Sequence, residues 1–315
     1  SAGYGRFEDM VAAIRMATPR GEWRLGVAPA SAAGPDLRAL VLGSEGTLGV
    51  ITEVTVRVRS RPTHQRYEAY VLDGWAPAAS AVRALAQDRV LATVTRLSDV
   101  DETDAALALT GGLKTRALRA YLKLRKVREP CLLVLGWEDD RAARATRRVL
   151  RAHRPIALGR APGEAWRRGR FAGPRQRDAL LDAGVCVETL ETATHWSTLD
   201  QLRDAVRTAV TDAMATPPLV MCHLSHAYET GASLYFTVLA PQTADPIDQW
   251  KHAKQAACTA ISGLGTITHH HAVGVDHAPY LAAEIGDLGI EVLTAVKRTL
   301  DPTGILNPGK LISRP

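Results

Sequence analysis

Three consecutive histidines, His269, His270 and His271, stand between the alternating Thr266-Ile267-Thr268 and a turn closing at Gly274. Imidazole is the side chain best suited to moving protons near neutral pH and to ligating metals. His223 and His226 lie in a second strand-like stretch, so five imidazoles are available for such chemistry. Read as a strand end, the run sends His269 and His271 to one face and His270 to the other. A solvated strand end would account for one such histidine, whereas three in succession favour a functional cluster. A fixed cation is offered further upstream. Pro174 can start a helix, placing Arg177 in its first turn, where a guanidinium and helix amides together suit phosphate or carboxylate. An Arg177–Asp178 surface helix start fits the same residues equally well. The third feature is Gly43-Ser44-Glu45-Gly46-Thr47-Leu48-Gly49, three glycines in seven residues. Such a backbone can pass close to a ligand and present amides to it, although a plain tight turn needs the same glycines.

Those residues must be carried by regular elements. An apolar stretch from Val11 ends at Thr18-Pro19-Arg20-Gly21, a turn between two strands. Pro35 begins a short helix, and the glycine loop runs into the strand-like Val50-Ile51-Thr52-Glu53-Val54. Further strands are expected at residues 67–72, 94–99, 131–138, 187–196, 219–226 and 231–238. Helices are expected at 78–87, 113–126, 139–153, 199–214 and 248–263, with one or two more over 278–300. This order of elements is that of a split βαβ sheet with helices on one side, an α+β fold. In Ser233-Leu234-Tyr235-Phe236-Thr237, alternation sets Tyr235 opposite Leu234 and Phe236. Arg141, Arg144, Arg148 and Arg151 share one helix face, read as solvated, with an anionic membrane surface as a weaker reading.

Composition narrows the function. At 315 residues, with 46% hydrophobic and 23% charged residues, the chain is long enough for two ordinary globular domains. No apolar run approaches the roughly 18 residues that span a bilayer. The net charge of +6 is carried mainly by arginine and lacks interleaved aromatics, which argues against nucleic acid. Four scattered cysteines form no CxxC pair, as expected of reduced thiols in a cytoplasmic enzyme.

Residues 43–50, GSEGTLGV, are similar to the flavin-contacting loop of the vanillyl-alcohol oxidase type of FAD-binding proteins. The terminal Asp301-Pro302-Thr303-Gly304-Ile305-Leu306-Asn307-Pro308-Gly309-Lys310 resembles that family's C-terminal segment. The resemblance implies FAD as cofactor, with Gly43, Ser44, Glu45, Gly46, Thr47, Gly49, Val50 and Ile51 at the flavin. It further implies residues 1–60 as the second part of the FAD-binding domain. Residues 61–283 would form an α+β, ferredoxin-like substrate-binding cap, and residues 284–315 a return to the flavin domain. The family's first subdomain, with its pyrophosphate loop, would precede Ser1, so residues 1–315 alone are expected to hold FAD weakly or not at all.

Within that superfamily the chain is most similar to alkyldihydroxyacetonephosphate synthases. The resemblance rests on Arg177-Asp178, Glu191-Thr192 with Trp196, residues 222–236, and His269 to Gly274. It implies exchange of the acyl group of acyl-dihydroxyacetone phosphate for a fatty alcohol, through a flavin adduct and without net redox change. Tyr235 then matches the proton-abstracting tyrosine, Arg177 the essential arginine, and His269, His270 and His271 the triple-histidine element. Arg96 fits the family's Arg-Leu-x-Asp element and joins Arg177 as a substrate-binding candidate. Relatives carry Tyr-Leu/Ile-Arg-Asp where this chain has Arg175-Gln176-Arg177-Asp178, a departure at the substrate-facing motif. The alternative is an FAD-dependent dehydrogenase of a 2-hydroxyacid, whose zinc site would need a histidine at Tyr235 and a glutamate at His270. A non-catalytic fragment of such a flavoprotein is a third reading. No tight zinc site is expected, because three adjacent strand residues cannot all converge. The expected partners are a lipid-like phosphorylated ketone and a fatty alcohol, with peripheral membrane contact and a homodimer as further expectations.

Overall fold

The computed structural model describes residues 2–312, apart from the side chains of residues 173–175. The last three residues of the expected C-terminal return, and the Arg175 side chain, lie outside that description. The chain divides into two units, residues 5–61 with 266–312 and residues 2–4 with 62–265.

In the first unit a single helical turn, α1 (Phe7–Met10), leads into β1 (Val11–Thr18). Thr18, Pro19, Arg20 and Gly21 turn the chain back into β2 (Gly21–Leu25), the Thr18 hydroxyl donating to the Gly21 carbonyl at 2.8 Å. After α2 (Arg38–Val41), β3 (Val50–Val56) pairs with the other edge of β1, giving the antiparallel order β2-β1-β3. β1 does not alternate strictly. Val11, Ile14 and Met16 are its buried residues, and register shifts against β3 at Val11/Ala13 and Arg15/Met16 account for the change of phase.

The second unit follows in order. It comprises β4 (Arg66–Asp73), α3 (Trp75–Gln87), β5 (Val94–Ser98), α4 (Val100–Thr110), α5 (Gly112–Leu124) and β6 (Pro130–Trp137). The chain continues through α6 (Asp140–Leu150), β7 (Ile156–Gly159), α7 (Arg160–Gly169), α8 (Gly173–Asp182) and β8 (Val185–His195). α9 (Leu199–Ala213), β9 (Leu219–Ala227), β10 (Gly231–Pro241) and α10 (Pro246–Ile261) complete it. Its seven-stranded antiparallel sheet has the order β7-β4-β6-β5-β9-β10-β8. The first four strands, with α3 and α6, make one ferredoxin-like motif. β9, β10 and β8, with α9 and α10, make most of a second, and the two join where Leu97 pairs with Leu224 and Ser98 with His223.

Alternation sorts each strand between two faces. Leu72, Leu97, Leu133, Leu224, Leu234 and Phe236 form the core with Val82 and Leu85 of α3, Val206 of α9 and Ala257 of α10. Each such large side chain contributes roughly 1.5–3 kcal/mol by leaving water. All four cysteines are buried free thiols. Helices do not keep to one side as the element order suggested. Leu118 and Leu122 of α5 pack on Val71 and Leu132, which point away from the main core. α7 lies so close to β4 that a Cβ on Gly163 would come within 2.7 Å of the Glu68 amide nitrogen. Arg141, Arg144 and Arg148 of α6 are exposed, as is Arg151 just beyond it, while Arg147 turns inward to Glu68 at 2.8 and 2.9 Å.

The chain re-enters the first unit after Gly265. α11 (Ala278–Leu300) is interrupted by Gly286, whose φ of 75° and ψ of 163° separate two helical stretches. Val296 and Leu300 from the second stretch pack on Val11, Ile14 and Met16.

Candidate functional site

In the seven-stranded unit the core side of the sheet leaves a polar set on the opposite side. Because Leu97, Leu224, Leu234 and Phe236 are fully buried in the core, their strand neighbours Arg96, His223 and Tyr235 project from the other face. His223 and Tyr235 are register partners, and their rings stack with centroids 4.7 Å apart and planes 15° from parallel. Arg96 lies over the Trp166 ring at 5.8 Å.

The fourth member, Glu102, was not anticipated from the sequence. It stands in the first turn of α4, where the Asp99 carboxylate accepts the Glu102 amide hydrogen at 2.9 Å. The signal was present as Asp99-Val100-Asp101-Glu102, the Asp-x-x-Glu spacing of a helix start. Glu102 Oε1 accepts from Arg96 Nη2 at 2.8 Å and lies 2.9 Å from His223 Nδ1. Those two nitrogens are 3.0 Å apart. Burial opposes ionisation of Glu102, yet the field of His223 and Arg96 outweighs it and holds the carboxyl down at about 2. For His223 burial dominates and lowers the imidazole below its ordinary value, against the pull of Glu102. Asp99, fully buried, is pushed up by that burial although Arg203 and Arg207 reach it at 3.3 and 3.1 Å.

Glu191 of β8 is paired with Tyr235 by register and lies 3.8 Å from His226. Arg177 is exposed as the fifth residue of α8, in its second turn rather than its first because the helix already begins at Gly173, and no ion pair with another described residue fixes it. Of the substrate candidates, then, Arg96 shares the sheet face with Tyr235, and Arg177 is a surface cation.

In the three-stranded unit the structure corrects the histidine strand. The segment has bends rather than a strand at His269, His270 and His271. The Ile267 amide donates to the Glu284 carboxylate at 2.8 Å, as does the Thr266 hydroxyl, so a side chain occupies a donor that a strand would use. Ala272 then turns left-handed at φ 68°. His269 and His270 do not point to opposite faces, since their rings meet edge to face at 4.1 Å. His269 is buried, and His270 and His271 are exposed. Strand alternation therefore gives no ground for excluding metal ligation here.

The residues of the glycine loop have distinct tasks. Glu45, left-handed at φ 52°, accepts the Val273 and Gly274 amide hydrogens at 2.6 and 2.8 Å. Its carboxylate thus ties the end of the histidine segment to the loop. The Asn307 side-chain amide donates to the Glu45 carbonyl. Ser44 and Thr47 are buried, and the Thr47 hydroxyl donates to the Ser44 carbonyl at 2.7 Å. Buried Lys297 donates to the Thr47 and Leu306 carbonyls at 2.8 and 2.7 Å and pairs with Asp301. Gly49 is needed for packing, because a Cβ there would come within 2.5 Å of Met16 Cγ and 2.8 Å of the Ala17 carbonyl. Val50 and Ile51 are exposed on β3.

This leaves Gly43 and Gly46 as the loop's open backbone, at φ 86° and 74°. A Cβ on Gly43 would meet nothing within 4 Å, and on Gly46 only Asn307 at 3.7 Å. A cavity of ≈ 960 Å³ adjoins Gly43 and is lined in part by Arg6, Arg38, Leu42 and Arg57. Open glycine backbone beside a cation-flanked cavity fits one wall of a dinucleotide site.

Comparison with known proteins bears on both units. Residues 61–311 match the family of FAD linked oxidases, C-terminal domain. The alkyldihydroxyacetonephosphate synthase of Dictyostelium discoideum is 31% identical over 329 residues, spanning 98% of this chain and 54% of that protein. The Trypanosoma brucei brucei alkyldihydroxyacetonephosphate synthase is 29% identical over 334 residues, spanning 99% and 54%. A solved alkyldihydroxyacetonephosphate synthase structure superposes with a TM-score of 0.76 at 27% identity, covering 97% of this chain and 54% of that one. The chain thus spans about half the length of the relatives it matches.

Proposed function

The chain belongs to the family of FAD linked oxidases, C-terminal domain, and from that premise we propose that it works as an alkyldihydroxyacetonephosphate synthase-like enzyme. FAD is the family's cofactor, and Gly43 and Gly46 are the backbone that would lie against it. The observation that carries the reading is Tyr235, set on the polar side of the sheet with Arg96 and His223, in a chain 31% identical to such a synthase over nearly its whole length.

The substrate class is an acyl ester of dihydroxyacetone phosphate, with a fatty alcohol as the second substrate. When bound, FAD would supply an electron-accepting ring for the exchange of the acyl group by the alcohol. Tyr235 Oη takes the α-proton, a task that demands a positioned base. A phosphate needs cations, and Arg177, without an ion-pair partner among the described residues, is suited to receive it. Arg96 keeps donors beyond the one it gives to Glu102, since a guanidinium carries five. The imidazoles of His269, His270 and His271 handle protons of the departing carboxylate and the incoming hydroxyl.

The test is to supply the FAD-loaded protein with acyl-dihydroxyacetone phosphate and a long-chain alcohol. Alkyl-dihydroxyacetone phosphate and one equivalent of free fatty acid are expected, with the flavin oxidised before and after turnover. Net flavin reduction by a 2-hydroxyacid, without ether product, would overturn the reading.

A further inference from the structure

We propose that Glu102 is a positioning residue for this reaction, fixing His223 in the tautomer that carries its proton on Nδ1, with the ring flat against Tyr235. The catalytic role rests on the function proposed above, whereas the tautomer does not.

The argument starts from one oxygen. Glu102 Oε1 has Arg96 Nη2 at 2.8 Å and His223 Nδ1 at 2.9 Å, and the two nitrogens are 3.0 Å from each other. A guanidinium nitrogen can only donate. Were Nδ1 bare, it could accept from Arg96, but its lone pair would then face a carboxylate oxygen at hydrogen-bond distance in a buried place. With hydrogen on Nδ1, both N–H groups converge on Oε1, and the close nitrogen pair is the geometry of two donors sharing one acceptor. Protonation of both ring nitrogens would set an imidazolium 3.0 Å from a guanidinium, two cations sharing the Glu102 carboxylate with only the field of Glu191 besides. The groups that face the ring are Arg96 from β5, Glu102 from α4, Tyr235 from β10 and Glu191 from β8. Burial adds to the case for a neutral ring, in line with the lowered imidazole of His223.

The consequence reaches Tyr235 through packing. A stacked ring at 4.7 Å moves no proton to the phenol, but it fixes the phenol's plane. The Nδ1–H bond to Glu102 in turn fixes the rotation of the imidazole, and Nε2 is left as a bare acceptor. Glu102 itself is set by the Asp99 cap, so the chain of restraint runs from a helix start to the proposed base.

The experiment is nitrogen NMR on the full chain carrying ¹⁵N-labelled histidine, with His223 assigned by the signal lost in His223→Gln. Wild type is expected to show a protonated Nδ1 and a bare Nε2. Glu102→Gln should move the proton to Nε2, because a neutral carboxamide oxygen accepts more weakly than a carboxylate and its NH2, like Arg96, can donate to a bare Nδ1. In FAD-loaded protein the same variant should slow exchange of the substrate's α-hydrogen by roughly tenfold or more, with flavin content unchanged. A wild-type ring protonated on Nε2 overturns the proposal whatever the variant does. The expected tautomer with wild-type exchange in Glu102→Gln overturns the catalytic role. If Tyr235→Phe also exchanges normally, it is the functional reading that has failed.

Discussion

Glu45 tests how the glycine loop and the histidine segment are joined. Its carboxylate accepts two backbone amides at 2.6 and 2.8 Å, and its own backbone is left-handed at φ 52°. Glu45→Ala removes both bonds and keeps the unfavourable backbone. Hydrogen bonds to a charged group contribute about 1.5–3 kcal/mol each when water is excluded. Val273 and Gly274 are only half-buried, so water recovers part of the loss and about 2 kcal/mol in total is expected. Glu45→Gly loses the same bonds but relieves roughly 1 kcal/mol of left-handed strain, which offsets the roughly 0.5–1 kcal/mol that glycine's extra unfolded-state freedom costs. The glycine variant should therefore be no less stable than the alanine variant, the reverse of the order at an ordinary position. Urea unfolding of the two variants beside wild type reads both quantities. Wild-type stability in Glu45→Ala, or a glycine variant weaker than alanine by about 1 kcal/mol, would refute the reasoning.

Gly49→Ala should destabilise by roughly 1–3 kcal/mol, because the added methyl runs into Met16 and the rigid Ala17 carbonyl; a melting temperature equal to wild type would count against that packing. Acid should weaken the seven-stranded unit through Glu102. Its folded carboxyl, at about 2, lies below the unfolded value of 4.5, so its contribution is present above pH 4.5 and is lost as pH falls toward 2. With His223 neutral the fixed charge of Arg96 carries the effect, on the order of 1–3 kcal/mol, and Glu102→Gln should flatten this limb of a stability-against-pH curve; an unchanged limb would contradict the assignment.

The sequence was most legible where burial on one face forces alternation. Leu234 and Phe236 enter the core and Tyr235 does not, which follows from period two alone. The Thr18 to Gly21 turn was equally plain, since its proline and glycine can do little else. The histidine segment misled because Thr266-Ile267-Thr268 alternates like a strand, yet the Ile267 amide is taken by Glu284, seventeen residues away. No local pattern encodes that partner. Glu102 was hidden differently: its capping pattern is visible, but its meeting with His223 depends on β5 lying beside β9, a tertiary fact. The resemblance sets Gly43, Ser44, Glu45, Gly46, Thr47, Gly49, Val50 and Ile51 at the flavin but says nothing of the internal bonds and packing that Glu45, Thr47 and Gly49 also serve, because their partners lie far along the chain.

The central claim is that Tyr235 takes the substrate's α-proton, and Tyr235→Phe in FAD-loaded protein tests it most directly. The substitution keeps the stack on His223, so folding and flavin content should match wild type. Solvent exchange of the α-hydrogen of acyl-dihydroxyacetone phosphate should then fall by roughly 10²-fold or more, and ether formation with it. Exchange and turnover at wild-type rates in that variant would contradict the account and move the base to His269, His270 or His271.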